Sequence, residues 1–298
     1  MAKQHLPVRQ IELREWRDGG RAPRNLARGA AIVNGNVAYF MHWNGETFLY
    51  DSSSQRWSEL PDHHHWDGSL AVIRSLISAI GGLKGGATTN KLLSMVNNEW
   101  VECFPPMPTK HYLTSAASTK ELVIVAGGES ESDPLDTVEV MDTETLVWST
   151  AASLPHPYSR ASATICGDQL YVLGGWDESG DSKLVLTSSL AKLVQSCNGA
   201  SSDSVWHRTA DVPVYYSTCA AVNGELVVVG GMDTGRKTTA AVHKYNPITN
   251  SWDVISNMPT ARHHCLVVVL PTNDVMVACG DTGLNNFTDK IEIADLIL

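Results

Sequence analysis

The stretch HYLTSAASTKELVIVAGG, residues 111–128, continued by TVEVM at 137–141 and by Trp148, decides how this chain folds. Residues 112–118 read as one strand, rich in small side chains. Thr119-Lys120 makes a tight turn, and 122–126 is an apolar strand closed by Gly127-Gly128. TVEVM alternates apolar and polar positions, and 147–149 around Trp148 forms a fourth strand. Working outward, the apolar run ending in a glycine pair recurs as LISAIGG (76–82), LYVLGG (170–175) and LVVVGG (226–231). VMVACG (275–280) keeps one glycine, and VAYFMH (37–42) keeps the run with none.

Tryptophans repeat in phase with these runs. Trp16, Trp57, Trp100, Trp148, Trp206 and Trp252 precede positions 42, 82, 128, 175, 231 and 280 by 25 to 28 residues. The return distances are 15, 18, 20, 31 and 21, so length variation is confined to one segment, with an insertion at 196–204 in the fourth repeat. Turn pairs Asn34-Gly35, Gly167-Asp168 and Asn223-Gly224 fall at matching points. A period of about 40–50 residues with four short strands per unit fits the blades of a propeller rather than a helical solenoid. Ala30-Ala31, Ala116-Ala117, Ala161-Ser162-Ala163 and Ala220-Ala221 keep the first strands small, as convergence on an axis requires.

The order Pro106-Met107-Pro108, Gly127-Gly128, Val138-Glu139-Val140-Met141-Asp142, Trp148 resembles the kelch repeat, and 226–231 with Tyr245-Asn246-Pro247 and Trp252 is a second copy. The resemblance runs over about residues 11–298, with a departure at Met41-His42. It implies an all-β, six-bladed propeller of WD40-like architecture, read here as one domain over 1–298. The expected blades are 17–58, 59–102, 103–150, 151–209, 210–254 and 255–298 plus 1–16. The last repeat lacks a Trp strand and the first 16 residues supply one, so a strand at 11–16 is expected to complete the C-terminal blade and close the ring.

The 298 residues carry 22 Lys+Arg against 32 Asp+Glu, net −10, which argues against a nucleic-acid footprint. No signal-peptide core is found in MAKQHLPVRQ, and the apolar runs are strand-sized, so a cytoplasmic chain without a membrane partner is expected. The isolated propeller is expected to be monomeric. The six cysteines form no CxxC pair, and Cys103 and Cys197, in loop-like contexts, are the candidates for a reactive thiol.

Chemistry-bearing motifs are sparse. The glycine pairs open no helix and match no phosphate loop. His63-His64-His65 and His263-His264 lack zinc spacing, and neighbours on an extended segment face opposite ways. Galactose-oxidase-like and specifier-type kelch enzymes would need a copper set or a Glu-x3-Asp-x3-His iron triplet. Glu129 and Asp133 have the first spacing, but position 137 is Thr. No cofactor, no metal and no enzymatic activity are expected; a metal-dependent enzyme and an actin-binding scaffold are the rival readings. The resemblance instead implies a loop face that grips a protein or peptide ligand, as in the substrate-recognition part of a ubiquitin-ligase adaptor. The links from fourth to first strands place Arg28, Trp66, Lys110, His111, Arg160, Tyr216, Arg262 and His263 at similar phases. Arginine and aromatic side chains suit such contacts. Charge reversal of Arg160 with Arg262 is therefore expected to abolish partner capture without lowering the melting temperature.

Overall fold

The computed structural model describes residues 12–131, 133–199 and 205–297. Six four-stranded antiparallel sheets form the blades. Blade one comprises Ala30–Asn34, Val37–Met41, Thr47–Asp51 and Arg56–Glu59. Blade two comprises Ser69–Ile73, Leu76–Ile80, Leu92–Val96 and Glu99–Val101. Blade three follows with Ser115–Ser118, Leu122–Ala126, Val138–Asp142 and Val147–Thr150. Blade four has Ser162–Cys166, Gln169–Leu173, Val185–Ser189 and the short His207–Arg208. Blade five has Thr218–Val222, Glu225–Val229, Ala241–Asn246 and Ser251–Asn257. Blade six takes Leu266–Val269, Val275–Ala278 and Lys290–Ile297 from the C-terminal end and its outermost strand, Glu12–Arg21, from the N-terminal end. The expected closure is therefore observed, with Trp16 opposite Ala294; Ile11 lies outside the described residues.

The innermost strand of each blade lies beside those of its two neighbours, completing a ring. Small residues there do more than avoid collision. Ser115 Oγ donates to the Ala161 carbonyl and Thr218 Oγ1 to the Cys265 carbonyl, both at 2.6 Å. The amides of Ala116 and Cys219 donate to Ser69 Oγ (3.2 Å) and Ser162 Oγ (3.1 Å). Hydroxyls thus satisfy edge groups that the sheets leave unpaired at the axis.

The apolar core sits between blades. Phe40 and Phe48 of blade one pack with Met276 and Ile291 of blade six, and Val140 of blade three with Leu170 and Leu186 of blade four. Five of the six periodic tryptophans hook their blade to the one before it, while Trp57 packs against the core shared by blades one and six. The indole N–H groups of Trp100, Trp148, Trp206 and Trp252 donate to the carbonyls of Pro61, Pro105, Ala152 and Ala210 (2.6–3.1 Å), and that of Trp16 donates to Ser256 Oγ (2.9 Å).

The glycine pair is a blade-to-blade staple. Gly128 N–H donates to the Tyr158 carbonyl (2.7 Å) and Gly231 N–H to the Arg262 carbonyl (2.9 Å). A Cβ on the preceding Gly127 or Gly230 would lie 2.3 or 2.2 Å from those same oxygens, and both residues have φ near +62°. The staple thus requires a missing side chain as well as a left-handed backbone. Gly167 has the same φ with open space around it, so it isolates the conformational part. Gly167→Ala is expected to cost about 1–2 kcal/mol and Gly127→Ala at least about 3 kcal/mol, because backbone must move. Equal losses in denaturant titrations would disprove the staple.

The insertion in the fourth repeat begins differently from its sequence reading. A helix, Leu190–Cys197, precedes the outermost strand of blade four, and residues 200–204 lie outside the described set. Ser189 caps it by accepting from the Lys192 amide (3.3 Å), and Leu193 is buried against blades three and four. Cys197 is accordingly helical and half-buried rather than in a loop. Its thiol donates to the Leu193 carbonyl (3.4 Å), and burial pushes its pKa up, away from a poised thiolate. Cys103 is exposed. No helix among the described residues is long and apolar enough to cross a membrane.

Candidate interaction face

The links between blades and the loops between second and third strands meet at one end of the ring. Five of the six inter-blade links pair through a single bridge with the residue following the glycine position: Trp66 with Leu83, Tyr112 with Glu129, Ser159 with Trp176, Tyr215 with Met232, and His263 with Asp281. One residue beyond each bridge the backbone turns left-handed. Asp67, Leu113, Arg160, Tyr216 and His264 have φ between +51° and +56°, and Arg28 has +62° in blade one. None is glycine, so each carries a backbone cost that its surroundings must offset. Hydrogen bonds from blade to blade hold them. Leu113 N–H donates to the Asp67 carbonyl (2.8 Å), Arg160 to Leu113 (3.0 Å), His264 to Tyr216 (3.0 Å) and Arg28 to His264 (3.2 Å). The Asp67 amide turns instead to the Trp43 carbonyl (2.7 Å).

Four of the residues singled out from the sequence come together on this face. Arg28, Arg160 and Tyr216 belong to the left-handed ring, and Trp66 is exposed one residue before it. Lys110 is exposed but lies three residues before Leu113. His111, Arg262 and His263 are buried and cannot offer their side chains to a partner. Two residues ahead of the ring the side chain points between sheets, where His111 holds the Gly127 carbonyl through Nδ1 (3.0 Å) and Glu139 through Nε2 (3.1 Å). Arg262 at the same register pairs with Glu292 (2.9 Å) and donates from Nη1 to the Cys279 and Lys290 carbonyls, both at 2.9 Å. His263 sits 3.7 Å from Asp281 and bridges it through the backbone.

The histidine run behaves similarly. His63 and His65 are buried and His64 is exposed beside Asp62 (3.1 Å). Burial, helped by His65, pushes the His63 pKa down to about 4. Among the described residues no group of three His, Cys, Asp or Glu converges as a metal site would require.

Several face residues escaped the sequence reading. Trp43 is one, exposed and meeting the exposed Trp66 edge to face at 6.1 Å. Trp176, Leu284 and Phe287 are exposed in the loops of blades four and six, and the Arg28 guanidinium lies 5.7 Å from the Phe287 ring centroid. Trp176 directly follows its glycine pair, and Trp43 follows the corresponding Met41-His42, so that position was the available signal. His264 replaces His263 as the ring residue. Burial, with His263, Arg28 and Arg160 nearby, pushes its pKa down to about 3, so it stays neutral in ordinary buffers. Tyr216 donates to Asp181, which also pairs with Arg236, and Arg236 and Lys183 lie 5.0 and 5.3 Å from the Tyr215 ring.

Residues 111–155 and 213–259 match the Kelch motif. Blades three and five of this propeller carry the kelch repeat. Its relatives include Kelch-like protein 23 of Mus musculus, 22% identical over 278 residues, covering 77% of this chain and 49% of that protein. Kelch-like protein 35 of Mus musculus is 24% identical over 235 residues, covering 75% of this chain and 38% of that protein. The chain thus spans about half the length, or less, of these relatives. A solved structure titled "Structure of YjhT" superposes with a TM-score of 0.74 at 14% identity, covering 93% of this chain and 99% of that one, a likeness of fold.

Proposed function

We propose that this face binds a protein or peptide partner and that the kelch propeller acts as a recognition scaffold rather than a catalyst. The observation that carries the reading is where large apolar side chains stand exposed. Of nine such residues among those described, Trp43, Trp66, Trp176, Leu284 and Phe287 all lie in the loops of this one face. Exposed aromatics beside arginines are the composition of binding hot spots, because they bury large area at small entropic cost. Arg28 and Arg160 come from blades one and four of six, across the ring from each other, so a bound segment would span the mouth. Within this reading the propeller serves as the recognition part of a larger assembly; the kelch resemblance suggests a ubiquitin-ligase adaptor.

Random peptides displayed and selected on the wild-type propeller test it. Trp43→Ala combined with Trp66→Ala is expected to weaken selected binders at least about tenfold, the scale of a hot-spot loss, with melting unchanged. Binders that ignore both changes would put recognition elsewhere.

A further inference from the structure

Beside the ring, the loop of blade three and the link into blade four enclose a cleft of about 400 Å³, lined by Tyr112, Glu129, Glu131, Pro134, Arg160 and Trp176 among others. Two of its walls are aromatic, and the Trp176 indole is 39% exposed. Glu129 is held in place: Tyr112 donates to its Oε2 (2.7 Å), while Arg160 Nε stands 4.0 Å from Oε1 with its side chain 60% exposed. That hydrogen bond, with burial adding, pushes the Tyr112 pKa up to about 12, so the phenol remains a donor. Glu131, at the outer rim, accepts from Thr88 of the neighbouring blade at 3.4 Å, and among the described residues no cation stands within ion-pair distance of it. The cleft is therefore polar, flat-walled and richer in carboxylate than in the one guanidinium that overhangs it.

We propose that this cleft is a subsite for a cationic side chain of the partner, an arginine, with its guanidinium on Glu129 and Glu131 and its flat face on Trp176. The subsite deepens the interaction-face reading and rests on it. A planar guanidinium matches both halves of the lining, since it pairs with carboxylates through parallel N–H groups and stacks on aromatic faces. A metal ion fits less well, because among the described residues no three carboxylate, histidine or cysteine groups converge here. Arg160 already stands over Glu129 with the same chemistry, at a distance too long for a hydrogen bond. It acts as a resident cation that an incoming arginine displaces. This gives Arg160 the opposite sign from a residue that grips acidic groups.

The test uses N-acetylarginine amide as probe, titrated onto the whole chain while the indole N–H resonances of Trp43, Trp66 and Trp176 are followed by NMR. N-acetylcitrulline amide is the neutral control. The arginine probe is expected to shift the Trp176 resonance saturably and the citrulline probe not. Glu129→Gln with Glu131→Gln should raise the half-saturation concentration about tenfold, the value of a lost charge-assisted bond. Arg160→Ala should lower it. Unchanged melting of the Gln variants, both at partly or fully exposed carboxylates, checks their fold; Trp176→Ala gives a second loss of binding, followed through the Tyr112 amide. An equal response to citrulline, weaker binding in Arg160→Ala, or a silent Trp176 would each overturn the subsite. If only Trp43 and Trp66 respond, the subsite fails while the face stands; failure of the face itself is read in the peptide selection.

Discussion

Removal of residues 1–21 is expected to abolish cooperative folding and leave a chain that aggregates on size-exclusion chromatography. The deletion strips blade six of its outermost strand and breaks the antiparallel ladder along Lys290–Ile297. The exposed edge then offers unpaired amides and carbonyls to other chains, a hazard that a closed ring avoids. It also removes Trp16, which packs with the core shared by blades five and six and donates to Ser256 (2.9 Å). Trp16 is half-buried, so its loss alone costs less than the about 3–5 kcal/mol of a fully buried tryptophan, yet it still weighs against a domain's marginal stability. Arg17 pairs with Asp274 and Asp295, and Arg21 with Asp289, but these pairs are largely exposed and add little. The decisive losses are the strand and the indole. A synthetic peptide of residues 12–21 added in trans should restore a melting transition to the truncated chain. Undiminished melting of the truncated chain without peptide would sink the closure argument.

The fold was legible because its signals are periodic and each has one physical cause. Glycine pairs recur because a neighbouring carbonyl occupies the space of a Cβ, as at Gly127 against Tyr158 and Gly230 against Arg262. Tryptophans recur because they tie a blade to its predecessor, four of the six through a carbonyl and Trp16 through a hydroxyl. The helix at Leu190–Cys197 was missed because it interrupts the period once, and the length of an insertion does not reveal its conformation. The face was only partly legible. Side chains at neighbouring positions of an inter-blade link meet opposite fates, exposed on the ring at Arg160 and buried two residues ahead of it at Tyr158. An alignment off by one or two residues therefore exchanges a surface arginine for a core one. The left-handed turn that sets this register has no glycine to mark it: the six positions are Arg, Asp, Leu, Arg, Tyr and His.

Arg262 is where that shift has the largest measurable consequence. The expectation that reversing its charge spares stability is overturned by its complete burial. Its guanidinium pairs with Glu292, itself buried, and caps two carbonyls at the adjoining ends of neighbouring strands of blade six. Arg262→Ala leaves Glu292 buried with only the Thr260 amide and hydroxyl as donors, and leaves both carbonyls without Nη1. Breaking a buried pair by removing one partner costs about 3–5 kcal/mol, or roughly 5–8 °C in melting temperature for a domain of this size; Arg262→Glu should cost more, since two carboxylates would then share the site. Arg262→Lys should fall between, because an ammonium cannot reach the carboxylate and both carbonyls at once. Combining Arg262→Ala with Glu292→Gln should recover part of the loss, the mark of direct coupling. Arg160→Ala, at a side chain 60% exposed, should stay within about 0.5 kcal/mol of wild type. Thermal melts of these variants decide the matter: an Arg262→Ala protein as stable as Arg160→Ala would return Arg262 to the surface. If the ordering holds, lost partner capture in an Arg262 variant reports a damaged blade, and only the Arg160 variant reports on recognition.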